Sequence, residues 1–292
     1  MTFATSTMVY RCIVIVRAEF VNIFLLLAVE SGFIPVESCS TFALLSIRMS
    51  RVTFCGFRDI LHTNQERTIT AMKKRTRLAD RALPHYSTAE EITNTLTHAA
   101  GFLFGIAALI LCLLRSKSGV SVAACVIYGS STIILYATSS IYHGLKPCLG
   151  KKVLQIIDHC TIYLLIAGSY TPVVLIALRP LYPTLGWGLF VLEWVLSALA
   201  TTLTAIDLKK YSKLSMVFYI GLGWAILPFL PQTIQALGQQ GFQLLLAGGI
   251  SYSLGAILYG IGSKVPWVHS IFHVFVVAGS VLQFFAIYNH VL

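Results

Sequence analysis

Apolar stretches of about 20 residues follow one another along the chain, and short polar segments separate them. A helix that crosses the ~30 Å hydrocarbon core of a bilayer needs about that many predominantly apolar residues. The seven stretches are 94–114, 120–142, 154–178, 185–206, 213–230, 243–262 and 267–291. They predict an all-α integral membrane protein in which residues 94–292 form a bundle of seven transmembrane helices.

Composition agrees with this class. Hydrophobic residues make up 57% of the 292 residues and charged residues only 11%, whereas about 25% is usual in soluble domains. The net charge of +10 is high, but the basic residues form short clusters between the apolar stretches. Such clusters set the orientation of a membrane protein and do not build a nucleic-acid surface. We therefore expect membrane lipids as partners and no nucleic acid.

Lysine and arginine are divided unequally between the two sets of polar segments. The segment before the first span and those after the second, fourth and sixth spans contain twelve: Lys73, Lys74, Arg75, Arg77, Arg81, Lys146, Lys151, Lys152, Lys209, Lys210, Lys213 and Lys264. The other set contains three, which are Arg115, Lys117 and Arg179. Because short basic loops stay in the cytoplasm, this predicts the N-terminus inside and the C-terminus outside.

The first 71 residues differ from the rest. Their apolar run, Phe20–Leu27, is shorter than a crossing requires and is bracketed by charged residues. Met72 then begins a basic, polar segment. We interpret residues 1–71 as an upstream leader or non-native extension, expected to be poorly ordered, and residues 72–93 as a cytoplasmic basic segment. An abundant peptide from residues 51–67 in the purified protein would contradict the leader hypothesis.

Polar side chains recur at those span ends that the orientation assigns to the cytoplasm. Ser139 and His143 lie four residues apart at the end of the second span, and Asp158 lies near the start of the third. His269 and His273 lie four residues apart at the start of the seventh. Ionisable groups within spans are costly and usually face the bundle interior with partners. We therefore expect these residues to meet at one membrane level.

Two histidines four residues apart on one helix can bind a single metal ion. His143 is the best third ligand for His269 and His273, because it lies on another helix at the same level. Three histidines and a water molecule would form an open zinc site of the catalytic type. Ser270 stands where zincin proteases have a glutamate, so a zincin is excluded. The alternative is a hydrogen-bonded polar network that holds the helices together.

A third group of polar residues lies at the start of the first span. Glu91, Asn94 and His98 are spaced at i, i+3 and i+7 and therefore share one helix face. On the next turn, Gly101 and Gly105 form a G-x-x-x-G motif, which predicts close contact with a neighbouring helix.

Four stretches resemble a known family: EITNTLTH (Glu91–His98), SSIYH (Ser139–His143), IDHCTIYLLIAGSYTP (Ile157–Pro172) and HSIFHVFVVAG (His269–Gly279). Their order and spacing are similar to those of the hemolysin III branch of the progestin and adipoQ receptor family. Its relatives include the adiponectin receptors and the wider alkaline-ceramidase superfamily. The resemblance extends from about residue 88 to the C-terminus.

The resemblance implies a seven-helix protein of the bacterial inner (plasma) membrane with its N-terminus inside. It also implies a zinc ion held by His143, His269 and His273 near the cytoplasmic leaflet, with Ser139 and Asp158 beside the metal-bound water as catalytic groups. Glu91, Asn94 and His98 match the first motif of the family, whose role the resemblance does not define.

The predicted zinc site and the family resemblance lead to three hypotheses about function. The first is a zinc-dependent hydrolase of lipid amides or esters that takes an acyl-chain substrate. The second is a membrane-homeostasis sensor or receptor-like protein in which the zinc is structural. The third is a cytolysin, in keeping with the family name.

Overall fold

The structure, a computed structural model, describes residues 78–262 and 265–292, so the leader predicted for residues 1–71 lies outside the described part. Within these two ranges every regular element is helical, which confirms the all-α class. A 3₁₀ turn at Leu78–Asp80 comes first. The helices that follow are α1 (Thr88–Arg115), α2 (Gly119–Gly144), α3 (Leu149–Pro172), α4 (Pro183–Ile206), α5 (Ser212–Gly223), α6 (Leu230–Gly262) and α7 (Val268–His290).

Six segments of the described chain are long and apolar enough to cross a membrane. Five contain α1, α2, α3, α4 and α7, and the sixth is a single 51-residue segment, Ser212–Gly262. Large apolar side chains point outward from these helices, as in Leu114, Val217 and Leu103, which are 80%, 67% and 66% exposed. Helices with an apolar exterior satisfy the backbone internally and suit a lipid environment. The chain is therefore a multi-pass integral membrane protein.

The 51-residue segment doubles back near Gly238. This residue interrupts α6 with φ 71° and ψ 166°, a conformation that glycine adopts without steric cost. The indole Nε1 of Trp224 donates a hydrogen bond of 2.9 Å to Ser253 Oγ. In a straight helix these residues would lie roughly 44 Å apart. The chain therefore reverses between Trp224 and Ser253, which brings the two arms of the segment into contact at this point. The polar break predicted between them is wrong in detail, because residues 230–241 are helical except at Gly238.

The third helix is irregular near Pro172, as expected for a proline inside a helix. Pro172 has no N–H to donate to the preceding turn. The chain responds with a π-helical segment, Val173–Leu178, and then one α-helical turn, Arg179–Leu181. In the π-helical segment the carbonyl of Val174 accepts a hydrogen bond from Arg179 N, five residues ahead.

Helices α1 and α2 pack closely and antiparallel, which aligns residues at the two helix ends. A Cβ atom on Gly101 would lie 2.7 Å from the Tyr136 ring, and one on Gly105 would lie 3.2 Å from Thr132. The predicted close contact of the G-x-x-x-G motif is thus confirmed, with α2 as the partner. The same register brings the first turns of α1 beside His143 near the end of α2.

The first turn of α1 is also tied to the start of α7. Ser87 and Glu90 form a capping box, in which Ser87 Oγ accepts from Glu90 N at 3.2 Å and Glu90 Oε2 accepts from Ser87 N at 2.8 Å. The other carboxylate oxygen, Oε1, accepts from Trp267 N at 2.6 Å. Because Trp267 is the N-cap of α7, this carboxylate joins the starts of two helices that carry site residues.

Candidate metal centre

Three buried histidines converge at one end of the bundle. His143 comes from the last turn of α2, and His269 and His273 come from the first two turns of α7. His269 Nε2 lies 3.4 Å from His143 Nε2 and 3.2 Å from His273 Nε2. One ligand atom from each of the three residues lies within 4.8 Å of the other two. The sequence prediction that these residues meet is confirmed.

The spacing of the three nitrogens fits a metal ion. Zinc bound by histidine at ~2.0–2.1 Å in tetrahedral geometry separates the ligand nitrogens by about 3.3 Å. The two shorter separations, 3.4 and 3.2 Å, agree with that edge length. The cluster can therefore hold a metal ion.

Glu91 fixes the orientation of the His143 ring. Its Oε2 lies 2.7 Å from His143 Nδ1, and its Oε1 accepts a hydrogen bond of 2.6 Å from Lys151 Nζ. An ionised carboxylate only accepts, so His143 Nδ1 carries the proton and Nε2 presents its lone pair to the cluster. Metal-binding histidines are commonly oriented in this way by a carboxylate on the other ring nitrogen.

Lys151 completes an ion chain across three helices. Its Nζ also donates to the carbonyls of Leu145 at 2.8 Å and His143 at 3.4 Å, at the C-terminal end of α2. A cation is favourable there because it satisfies carbonyls that lack helical partners. Lys151 therefore ties the end of α2 to Glu91 on α1 from its own position on α3.

His98 is a fourth histidine against the cluster. Its ring is 3% exposed and stacks on His273 with the ring centroids 3.7 Å apart. Within the described residues, both of its ring nitrogens lack a hydrogen-bond partner, and so do Asn94 Oδ1 and Ser270 Oγ. Unsatisfied buried polar atoms are costly. Their concentration here is consistent with a site that takes a metal ion, water or polar ligand.

Asp158 and Ser139 lie beside the histidines and face a cavity. Ser139 interacts with the Asp158 carboxylate, and that carboxylate is also within electrostatic range of His143. The cavity has a volume of about 790 Å³. Both residues line it together with His98, His269 and His273. Ligand pockets of proteins typically measure ~300–1,000 Å³.

The segment before α1 lines the cavity at the histidine end. Tyr86 stacks on His269 with the ring centroids 4.8 Å apart and an interplanar angle of 18°. Arg81 lies 3.8 Å from Asp207, which follows α4, so an ion pair ties the segment to the end of that helix. Arg81, Pro84 and Tyr86 all line the cavity.

The structure assembles the residues that the sequence singled out. The three predicted ligands lie together, Asp158 and Ser139 lie beside them, and Glu91, Asn94 and His98 surround them from α1. The sequence missed Lys151 and Tyr86. In the sequence analysis, Lys151 was one of the basic residues between spans, and Tyr86 lies outside the four stretches that resemble the family.

The fold and site define a class of protein: helical, multi-pass and membrane-embedded, with a buried three-histidine cluster at one end that can hold a metal ion. Comparison with known sequences identifies the family. The chain belongs to the Haemolysin-III related family, which it matches over residues 86–284.

The match to two bacterial relatives covers most of the length of each relative. The chain is 40% identical over 206 residues to Hemolysin-3 of Bacillus cereus, covering 70% of this chain and 92% of that protein. It is 37% identical over 205 residues to the Hemolysin-3 homolog of Bacillus subtilis, covering 69% and 94%. A human relative, Monocyte to macrophage differentiation factor, is 28% identical over 172 residues, covering 56% and 68%. The chain is accordingly a multi-pass integral protein of the bacterial plasma membrane.

Proposed function

We propose that the protein is a zinc-dependent hydrolase of lipid amides or esters. The observation that carries the proposal is the convergence of three histidine nitrogens, with His269 Nε2 3.2–3.4 Å from the other two. His269 and His273 line a large cavity that Asp158 also lines. A bound zinc ion supplies a Lewis acid and lowers the pKa of a coordinated water molecule to about 7. His143, His269 and His273 would hold the ion, and a site with three histidine ligands would leave room for a water molecule.

Asp158 is the proposed acid–base group. Asp158 lines the cavity beside the histidines, and Ser139 lies next to its carboxylate. From this position it can take a proton from a water molecule and return it to the leaving amine or alcohol. General acid–base catalysis of this kind typically contributes ~10²–10⁴-fold.

The cavity suits a substrate with a long acyl chain. Away from the histidines it is lined by apolar side chains that include Leu135, Leu165, Val276 and Phe242. Along α7 it extends from His269 to Gln283, a distance of roughly 21 Å at the helical rise. An acyl chain in the apolar part would leave its polar group at the level of the histidines and Asp158.

A structural role for the metal is the alternative. The chain Lys151–Glu91–His143 connects α3, α1 and α2 through short polar contacts. A zinc ion would extend this network to α7 and stabilise a receptor-like or sensor protein without catalysis. Cytolysis, which the name of the Bacillus relatives suggests, has no specific support in the geometry of the site.

Turnover separates these proposals. Purified protein is incubated with fluorescent acyl amides and acyl esters, before and after zinc is removed with a chelator and then restored. The hydrolase proposal predicts product release that is lost on chelation and recovered with zinc. Full zinc occupancy without turnover of either substrate class would favour the structural role.

We also propose seven crossings, with the N-terminus inside and the C-terminus outside. Support comes from the twelve-to-three distribution of lysine and arginine and from the reversal at Gly238, which divides the 51-residue segment into two arms. A reporter fused after Leu292 should therefore be active outside the cytoplasm. A cytoplasmic signal from that fusion would mean that the number of crossings is even.

Removing the charge of Glu91 should weaken zinc binding without abolishing it. The substitution Glu91→Gln preserves shape but removes the anion that orients His143 and pairs with Lys151. Loss of such a partner typically lowers metal affinity by roughly 10–100-fold, which competition with a zinc chelator measures. Glu193→Gln is the matched control, because it makes the same change at a fully buried glutamate of α4, a helix that carries none of the cluster residues. Equal zinc affinity in the two variants would contradict the role assigned to Glu91.

A further inference from the structure

A phenol on α6 lies at the same level of the cavity as the histidines. Tyr259 lines the cavity, and its ring centroid is 6.3 Å from that of His269. Its hydroxyl oxygen lies 2.7 Å from His159 Nε2. The Asp158 carboxylate is within electrostatic range of it. Tyr259 therefore borders the space in which the polar group of a substrate would lie.

The partner of His159 determines the direction of this hydrogen bond. His159 Nδ1 lies 2.7 Å from the backbone carbonyl of Gln155, which can only accept, so Nδ1 carries a proton. In the neutral imidazole Nε2 is then an acceptor, and the Tyr259 hydroxyl must donate to it. The hydroxyl of Tyr219 donates to the His159 backbone carbonyl at 3.1 Å, which holds this part of α3 in place.

Because its proton is engaged with His159, Tyr259 offers only lone pairs to the cavity. It can accept a hydrogen bond from a ligand but cannot donate one. An ester has no N–H or O–H at its reacting group, and a tertiary amide has no N–H. A secondary amide has an N–H, so it is the acyl derivative that matches this acceptor.

We propose that Tyr259 is a specificity-determining residue that accepts a hydrogen bond from the substrate N–H and so selects secondary acyl amides over tertiary amides and esters. The inference rests on the proposed function for the position of the polar group and narrows its substrate class. His159 acts through Tyr259 as a positioning residue, because it holds the phenol proton away from the substrate.

Binding competition tests the inference without requiring turnover. Zinc-loaded protein in lipid nanodiscs is equilibrated with a fluorescent acyl probe. The probe is displaced by a secondary long-chain amide or by its N-methyl derivative, which has the same chain and carbonyl. One neutral hydrogen bond predicts a preference of roughly 3- to 10-fold for the secondary amide in the native protein. Tyr259→Phe should remove the preference and leave the affinity for the N-methyl amide nearly unchanged.

Two further variants separate recognition from packing. Tyr252→Phe removes another phenol that lines the cavity, whose hydroxyl instead contacts Ser280 at 2.8 Å, and it should keep the preference. His159→Leu should also abolish the preference although Tyr259 is intact, because the phenol proton can then turn towards the carbonyl of either amide. A purely structural Tyr259 would weaken both amides equally.

The outcomes distinguish this inference from the proposed function. A native protein that hydrolyses both substrate classes and binds the two amides equally would overturn the inference and leave the hydrolase proposal standing. A preference that persists in Tyr259→Phe would also overturn it. Failure of both amides to displace the probe would count against the acyl-lipid proposal and this inference together. The native protein could prefer the secondary amide, lose this preference in Tyr259→Phe, and show no turnover. That outcome would support the proposed amide recognition and contradict the hydrolase proposal.

Discussion

Replacing His269 or His273 by alanine should each reduce bound zinc from about one ion per chain to nearly none. Both side chains are buried, and each supplies one of three nitrogens around a common point. With one ligand lost, only two protein ligands remain, fewer than the three or four found in stable zinc sites of proteins. Metal analysis of the purified variants measures the effect, and the substitution His290→Ala on the same helix is the matched control.

The control tests whether zinc loss depends on where the histidine lies on α7 or follows from replacing any histidine of that helix. His290 is at the far end of that helix, roughly 26 Å from His273 at the helical rise, and should leave zinc content unchanged. Each variant is also checked for monodispersity and helix content, so that unfolding is not mistaken for ligand loss. Full zinc retention in both His269→Ala and His273→Ala would leave the pair as a buried hydrogen-bonded contact between α2 and α7.

The histidine cluster was predictable because helical periodicity and membrane depth together restrict where a side chain can lie. His269 and His273 share a face at any helix orientation, since they are four residues apart. His143 was expected to join them because, in the predicted topology, the end of the second span and the start of the seventh lie on the same side of the membrane. These arguments require the lengths of the spans and the positions of the polar breaks, and both can be read from the sequence.

The surroundings of the cluster were not predictable in this way. The contact between Lys151 and Glu91 depends on which helices are neighbours and on how each is rotated. Basic loop residues of a membrane protein are common for reasons of topology, so Lys151 had no distinguishing signal. Tyr86 lies in a segment without periodicity, and only the path of the chain over the cavity brings its ring onto His269.

The reversal at Gly238 was also predicted only in part from the sequence. A glycine- and glutamine-rich break between two apolar stretches predicted a loop, and the chain does reverse there. Pro231, however, lies in the first turn of α6, where its missing N–H requires no partner. The helix can thus begin well before the reversal, and a single residue in a left-handed conformation is sufficient for the interruption.

Asp158→Asn should keep the zinc ion and abolish hydrolysis, whereas His143→Ala should lose both. Among the described residues, the group that can hold a metal consists of the three histidines and does not include Asp158. The asparagine amide preserves the shape of the side chain and can still hydrogen-bond to Ser139, but it cannot take up and return a proton. We therefore expect a loss of roughly 10²–10⁴-fold in turnover at unchanged zinc content.

Zinc content and turnover of the same preparations decide among three roles for Asp158. Zinc loss as complete as in His143→Ala would make Asp158 a direct ligand, and the coordination position assigned to water would then be filled by the protein. Retention of both zinc and full activity in Asp158→Asn would exclude proton transfer by this carboxylate and favour a sensor with structural zinc. Retained zinc with lost turnover is the outcome expected for a carboxylate that moves a proton beside the metal, because only that role depends on the acid and not on the shape of the side chain.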